Sequence, residues 1–309
     1  MNILITGVAG FIGSNLAREL LTQRHSVAGI DNLSAGTREN VPAGVRLHVH
    51  DIRDESIAEL FRGVDAVYHL AAKNCLTDCM NNPVETADIN VRGTANVLEC
   101  ARRAGVKKFV YADSSAEYEG LQEFPSTVDH IAPEGIYASS KRGGALLCES
   151  YRKFFGMNVT ILWYFNVYGP AQDFRRVIPP VMSAFILKML NGEPPVIYGT
   201  GDKRRDYIYV DDVNRFQILT LTDTRTNGRT YNVGSGVSHS VKDVFRMIED
   251  EMKTGLKPIH KPELPNDVDN TLADITRERA LGWAPQVNIQ EGIRRTIEYL
   301  KSKLHATRT

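Results

Sequence analysis

Asn2-Ile3-Leu4-Ile5-Thr6-Gly7-Val8-Ala9-Gly10-Phe11-Ile12-Gly13 opens the chain: an apolar run that passes into three glycines spaced three apart, then into a helical pattern. A strand, a glycine turn and a helix start in that order make a cradle for a dinucleotide. Gly7 allows the tight turn, Gly10 lets the main chain approach a pyrophosphate, and Gly13 lets the helix pack close to the strand. The N–H groups of the first helical turn, which holds Phe11 and Ile12, and the positive dipole end then face the phosphates. A glycine triplet alone also makes ordinary turns, so the following strand matters. Ser26-Val27-Ala28-Gly29-Ile30 ends in Asp31, eighteen residues beyond Gly13. A carboxylate there takes both hydroxyls of an adenosine ribose and repels a 2′-phosphate, which selects NAD over NADP.

Further apolar runs follow at residues 45–50, 66–70, 108–112 and 159–165, separated by helical stretches that include 84–104 and Ile136–Phe155. Strand–helix alternation with apolar strands predicts an α/β protein with a doubly wound parallel sheet covered on both faces, its ligands beyond the carboxyl ends of the strands. From about Val167 the texture changes, with prolines at 170, 179, 180, 194 and 195. Helices are expected at 180–191, 241–253 and 289–304, the middle one opened by a capping-box pattern from Ser240 to Asp243. The expected division is a dinucleotide-binding domain over residues 1–166 and a smaller C-terminal α/β substrate lobe over 167–309. Segments near 206–236, strand-like at 206–210 and 230–233, can pack back on the first domain.

Lys and Arg total 37, as do Asp and Glu, so no net field favours nucleic acid or an anionic membrane. No apolar stretch reaches the roughly 20 residues of a membrane span. The apolar opening lacks a basic leader and is broken by glycines, which reads against a secretory signal. Cys75, Cys79, Cys100 and Cys148 fit no zinc spacing and read as reduced thiols of a cytoplasmic protein; no metal site is expected.

Tyr137-Ala138-Ser139-Ser140-Lys141 stands at the front of a helical run. Residues four apart share a helix face. An unperturbed phenol titrates near ~10, and a neighbouring ammonium stabilises the phenolate and lowers that value. Such a pair is common as a structural feature. Behind a glycine cradle and an Asp-ended strand, it reads as a catalytic base and its partner.

With these residues together, the chain resembles an extended short-chain dehydrogenase/reductase of the nucleotide-sugar epimerase/dehydratase family, most of all the UDP-glucose 4-epimerase group. The likeness covers nearly the whole chain. It rests on the Gly7/Gly10/Gly13 cradle, Asp31-Asn32-Leu33-Ser34, Asp51-Ile52, His69-Leu70-Ala71-Ala72, Asn90-Val91-Arg92-Gly93-Thr94, Tyr137/Lys141 and Tyr164-Phe165-Asn166. Arg205-Asp206-Tyr207, Val210-Asp211-Asp212 and Leu281-Gly282-Trp283 complete it. The resemblance implies a Rossmann domain and adds Asn32, Ser34, Asp51, Ile52, Leu70, Ala71, Ala72, Asn90 and Tyr164 to the NAD-binding set, alongside Tyr137 and Lys141. It implies Ser114 as the hydroxyl that shares the proton between a sugar 4-hydroxyl and Tyr137, and Ser115, Asn166, Arg205 and Thr271 as UDP-sugar contacts. It also implies a homodimer through the 84–104 and Ile136–Phe155 helices.

Dehydrating relatives carry Asp-Glu straight after the hydroxyl residue, and decarboxylating ones keep the Glu. Here Ser115-Ala116 follow Ser114, and Glu117, one place further on, reads as a solvated loop acid. The expected reaction is therefore 4-epimerisation of a UDP-hexose, the glucose/galactose pair and its N-acetylated counterpart, through a transient 4-keto sugar. Three departures from the family pattern bear on the substrate. Leu264-Pro265-Asn266-Asp267 lacks the usual second phosphate-binding arginine, which Arg175, Arg176 or Lys261 could replace, although each reads first as a plain surface charge; Trp163 replaces an arginine; Glu119 replaces a glycine. A UDP-glucuronate or GDP-sugar epimerase, a 4,6-dehydratase and a non-enzymatic NAD(H) sensor stay open as alternatives. The remaining histidines, His69 and His239 among them, read as structural.

Overall fold

The apolar strands of the first half align as parallel neighbours because crossover helices return the chain to the same end of the sheet. The computed structural model describes residues 1–173, 179–264 and 268–308. Its strands in the first half are β1 (Asn2–Thr6), β2 (Ser26–Asp31), β3 (Arg46–Val49), β4 (Ala66–His69), β5 (Lys108–Ser114) and β6 (Val159–Tyr164). Beyond them lie β7 (Asn166–Tyr168), β8 (Val196–Tyr198), β9 (Arg204–Tyr209), β10 (Thr230–Val233), β11 (Ser238–Ser240) and β12 (Ile259–Lys261). Seven form one sheet in the order β10-β6-β5-β4-β1-β2-β3, every neighbouring pair parallel. This is the doubly wound Rossmann arrangement. Alternate residues serve opposite faces: Leu4, Val67, Phe109 and Ile161 pack in one core, and Ile3, Ile5, Val110 and Leu162 in the other. The strand order reverses at β1, which has β2 on one side and β4 on the other, so a crevice opens at their carboxyl ends.

Several elements differ from the sequence expectation. The 84–104 stretch is not one regular helix: Pro83–Ala87 and Thr94–Arg103 are α-helical, with a wider π-helical turn at Asp88–Gly93 between them. Such turns occur often at functional sites, and this one carries Asn90. Residues 204–209 do not join the main sheet. β9 instead lies between β7 and β11 in a separate three-stranded sheet, while β10 does take the edge beside β6. A helix at Val210–Thr222, unseen in the sequence reading, follows β9 directly. It begins with Asp211 and Asp212 at its positive end, and buried Asp212 accepts from Gln286 N (2.9 Å) and Val287 N (3.1 Å).

The C-terminal helices Val181–Leu190, Val241–Met252 and Ile289–Arg308 enclose a third core that includes Phe185, Ile186, Ile248, Ile293 and Ile297. Ser240 and Asp243 form the expected reciprocal cap, each accepting from the other's main-chain N–H at 3.0 Å. Among the described residues no helix is long and apolar enough to cross a membrane.

Asp206, fully buried on β9, ties this region together. Its carboxylate accepts from Ser235 N (2.7 Å), Ser235 Oγ (2.6 Å), Gly236 N (2.9 Å) and Ala273 N (3.0 Å). Removing the acceptor strands donors that cannot reach water. Asp206→Ala is therefore expected to cost about 3 kcal/mol or more, read as a lower urea midpoint. An unchanged midpoint would show that these bonds contribute nothing net.

Candidate functional site

The glycine turn after β1 is shaped by contact. Gly7 has φ +76°, donates to Ile30 O (2.8 Å), and a Cβ there would stand 2.8 Å from Ala71 N. At Gly13 a Cβ would come within 2.2 Å of Gly7 O, so the helix Phe11–Thr22 can start this close to β1 only with glycine. Gly10 caps that helix with no side-chain acceptor. The first-turn N–H groups thus have no intrahelical partner and suit a pyrophosphate. Asp31, at the end of β2, accepts from Ala9 N (2.9 Å) and Leu33 N (2.8 Å), and burial pushes its carboxyl up. It braces the cradle and ends the strand where an adenosine ribose would lie.

Asn32 donates to Asp51 (3.0 Å) and accepts from Ser34 N (3.0 Å). Arg53 grips Asp51 with two nitrogens at 2.8 Å each and reaches Asp88 at 2.7 Å, holding the Asp51 carboxyl well below the usual range. Ile52 is buried where Gly93 approaches it. Leu70 and Ala71 leave β4 by donating to Thr6 O (3.1 Å) and Thr6 Oγ1 (3.2 Å), and Ala72 follows. These residues therefore border one crevice and fit a dinucleotide. Tyr164 differs: its hydroxyl donates to Gln217 (3.0 Å) in the core, so only its main chain faces the strand end. His69 is buried between Thr6 (2.7 Å) and Thr94 (2.9 Å), a structural position.

The helix Ile136–Phe155 presses onto β5 at Gly144, where a Cβ would meet Tyr111 Oη at 2.2 Å. Tyr111 in turn donates to Lys141 O (3.1 Å). This approach drives Lys141 under the strand end. Its ammonium donates to Ala112 O (2.7 Å) and lies 4.2 Å from the centre of the Tyr111 ring. Burial lowers the Lys141 pKa, opposed chiefly by the Asp113 charge. Tyr137, one turn earlier, is half-buried, and its main-chain carbonyl accepts from Ser140 Oγ (2.7 Å). Asn90 donates to Ser140 (2.9 Å) and clasps the Lys73 main chain on both sides, accepting at 2.8 Å and donating at 2.9 Å. Ser114 is the last residue of β5 and caps the short turn Ser115–Tyr118, accepting from Ala116 N (3.1 Å). Ser114 and Lys141 thus meet at one strand end.

A narrow crevice, with room for little more than a water molecule, lies beside Ser114 and is lined by residues that include Ser115, Glu119, Phe165 and Thr271. Thr271 Oγ1 accepts from Asn166 Nδ2 (3.2 Å) and Asp206 N (3.1 Å); the Asn166 amide also donates to Asp206 O (3.2 Å). A phosphate contact from Asn166 requires exchanging one of those bonds. Arg205 is half-exposed and donates to Arg204 O (2.8 Å). Burial raises the Glu119 carboxyl, with Glu134 adding to the rise and Arg205 opposing it. Lys261 is exposed on β12; Arg175, Arg176 and Pro265 to Asp267 lie outside the described residues.

One sequence reading is overturned. Glu117 is not a solvated loop acid: it is fully buried, because the turn after β5 points it inward behind Ser114. Asp113, also buried, was missed, and accepts from Ser114 N (2.9 Å) and Trp163 Nε1 (3.0 Å). Trp163 at the place of the family's arginine was the available signal for that acid.

A model of the NAD dependent epimerase/dehydratase family matches residues 3–234. The chain is 34% identical over 304 residues to a putative UDP-glucose 4-epimerase of Methanocaldococcus jannaschii, covering 97% of this chain and 98% of the relative. It superposes with TM-score 0.95 and 33% identity on a UDP-glucose 4-epimerase of Thermotoga maritima solved with UDP-glucose, covering 98% and 100% of the two chains. A UDP-glucuronic acid 4-epimerase of Bacillus cereus, in complex with UDP-glucuronic acid and NAD, matches with TM-score 0.91 and 28% identity over 98% and 100%.

The cofactor is NAD, and the protein should release NAD(H) when denatured. Gly13→Ala forces an overlap costing about 1–3 kcal/mol, so NAD affinity should fall roughly 10-fold or more. Undiminished NAD in the purified variant would show that the cradle does not hold the pyrophosphate.

Proposed function

The chain belongs to the NAD dependent epimerase/dehydratase family, and from that premise we propose that it is a UDP-hexose 4-epimerase. The observation that carries the reading is the turn after β5. Ser114 ends the strand, Ser115 and Ala116 follow without the acids that the resemblance assigns to dehydration, and Glu117 is enclosed by protein. What remains is a hydroxyl, a phenol and an ammonium, which suffice for moving one proton on and off a sugar hydroxyl.

In this reading Tyr137 as phenolate removes the proton of the sugar 4-hydroxyl and later returns it. Lys141 holds a positive charge one helical turn away and lowers the phenol's pKa. Ser114 Oγ shares the proton between sugar and Tyr137. NAD supplies the hydride acceptor and donor at carbon 4. Between the two transfers the 4-keto sugar turns over while its diphosphate stays tethered, so the protein must grip the nucleotide and leave the sugar loose. Asn166 and Arg205 are assigned that grip, arginine because its planar fork stays charged.

Residues 1–166 hold the cofactor and 167–309 the nucleotide sugar, with β10 lent back to the main sheet. Glu119 lines the cleft, where its carboxyl can contact a hydroxyl of the sugar. Exposed Val84, Ile136 and Leu146 on the paired-helix faces support a homodimer.

Incubation with UDP-glucose should yield UDP-galactose. Tyr137→Phe should abolish turnover with NAD still bound, and Ser114→Ala should slow it by about 10²- to 10⁴-fold. Full activity in Tyr137→Phe would remove the mechanism.

Thr271 is small and lines the cleft, so UDP-N-acetylglucosamine should be accepted alongside UDP-glucose. Thr271→Tyr fills that space; it also removes the acceptor for Asn166 and Asp206 N, which weakens both substrates, and beyond that shared loss it should cut turnover of the N-acetylated substrate much more than of UDP-glucose. Equal losses on both would show that Thr271 does not gate the pocket.

A further inference from the structure

Two acids lie beneath the site, and proton transfer by Ser114 and Tyr137 uses neither. Asp113 precedes Ser114 on β5, and Glu117 follows it by three residues in the capped turn; they are 3% and 0% exposed. Asp113 has two good donors in Ser114 N and Trp163 Nε1. Glu117 has none: no N–H or neutral hydroxyl reaches either carboxyl oxygen among the described residues, and its hydrogen-bonding neighbour is the Asp113 carboxyl itself. An ionised carboxylate without donors in such an enclosure is strongly disfavoured, whereas the protonated acid is tolerated. Burial, then the charge of Asp113, pushes the Glu117 carboxyl up, against the opposing pull of Arg142 and Lys141. Asp113 is also raised by burial, but Lys141 and its two donors hold it back.

Arg142 and Lys141 are the cations that act on the pair, and the Tyr118 hydroxyl and Glu278 lie beyond the turn. Tyr118 donates its hydroxyl to Asn232 (2.7 Å). Glu278, which accepts from Asn232 N (2.6 Å), is itself pushed up to about 7 by burial. Lys141 is buried and donates to the neutral Ala112 carbonyl, and Asp113 is the leading charge that opposes the loss of its proton.

We propose that Asp113 and Glu117 act as a buried acid pair carrying one proton and one negative charge, and that this charge keeps the Lys141 ammonium in place to set the basicity of Tyr137. The proposal rests on the reading of Tyr137 and Lys141 as the proton-transfer pair. Two carboxylates in one enclosure cannot both ionise, so the net charge opposite Lys141 is held at one rather than two or none. The pair is a positioning device. Asp113 supplies the counter-charge. Glu117 is the reserve that takes it over when Asp113 is neutralised.

The test uses the NAD-bound protein and needs no substrate. At neutral pH the difference between the infrared spectra of the wild type and Glu117→Gln should contain a protonated carboxylic acid stretch, which separates Glu117 from other raised acids such as Glu278. Phenolate absorbance that disappears with Tyr137→Phe reports the titration of Tyr137. Its midpoint should be unchanged in Glu117→Gln and slightly raised in Asp113→Asn, where Glu117 assumes the charge. In Asp113→Asn/Glu117→Gln the buried Lys141, left without a counter-charge, gives up its proton and no longer stabilises the phenolate, so the midpoint should rise by about one pH unit or more; a fall, the direct effect of removing a negative charge, overturns the relay through Lys141. A difference spectrum without that carboxylic acid band overturns the protonated pair, even if the double variant fails to fold. A Tyr137 midpoint unmoved in the folded double variant overturns its effect on the base. Failure of the catalytic reading is separate, and would appear as full turnover in Tyr137→Phe with these spectra unchanged.

Discussion

Burying the Lys141 ammonium under the end of β5 is the constraint around which the site is arranged. An ammonium so placed tends to lose its proton, and the proton transfer proposed for Tyr137 needs that charge. The fold meets that demand with geometry first. Gly144 brings the helix Ile136–Phe155 against Tyr111, so the Lys141 side chain ends at the Ala112 carbonyl and over an aromatic face. It meets it with charge second, through Asp113 on the same strand, itself held by Trp163. The tryptophan that departs from the family pattern thus has a physical partner in an acid two residues from Tyr111.

The same site depends on a second set of buried polar contacts in the other half of the molecule. Asp206 gathers donors from the loop after β10 and from Ala273, while Thr271 takes the main-chain N–H of Asp206 and the amide of Asn166. The cleft wall and the residues assigned to phosphate are therefore one hydrogen-bonded unit. Asn232 extends it towards the turn after β5, bonding Tyr118, the Ser126 carbonyl and the Glu278 carboxylate. Such networks are rigid where their groups are satisfied, which suits the proposed reaction, in which the nucleotide is held while the sugar turns.

Sequence periodicity was legible wherever an element is regular and flanked by its own stop signals. The strand at 26–31, the helix Ile136–Phe155 and the cap at Ser240 all lie where the pattern puts them. It was misleading where tertiary contacts redirect the chain. The helical stretch after Pro83 widens at Asp88–Gly93, where Asn90 bonds Lys73 and Ser140. The strand-like run near Asp206 pairs with β7 and β11, partners too short to announce themselves by alternation.

By itself the sequence determined the strand–helix alternation, the glycine cradle, the acid that ends β2 and the Tyr137/Lys141 pair, because each is local: a spacing, a turn or one helical face. Only the tertiary structure decided the environment of the acids. Glu117 is an ordinary polar letter in a loop sequence, and nothing within a few residues of it reveals that β5, β6 and the Ile136–Phe155 helix close over it. Ionisation is set by the density of protein, donors and charges around an atom, and those arrive from residues far apart in the chain. The role of such a group is fixed when the fold closes.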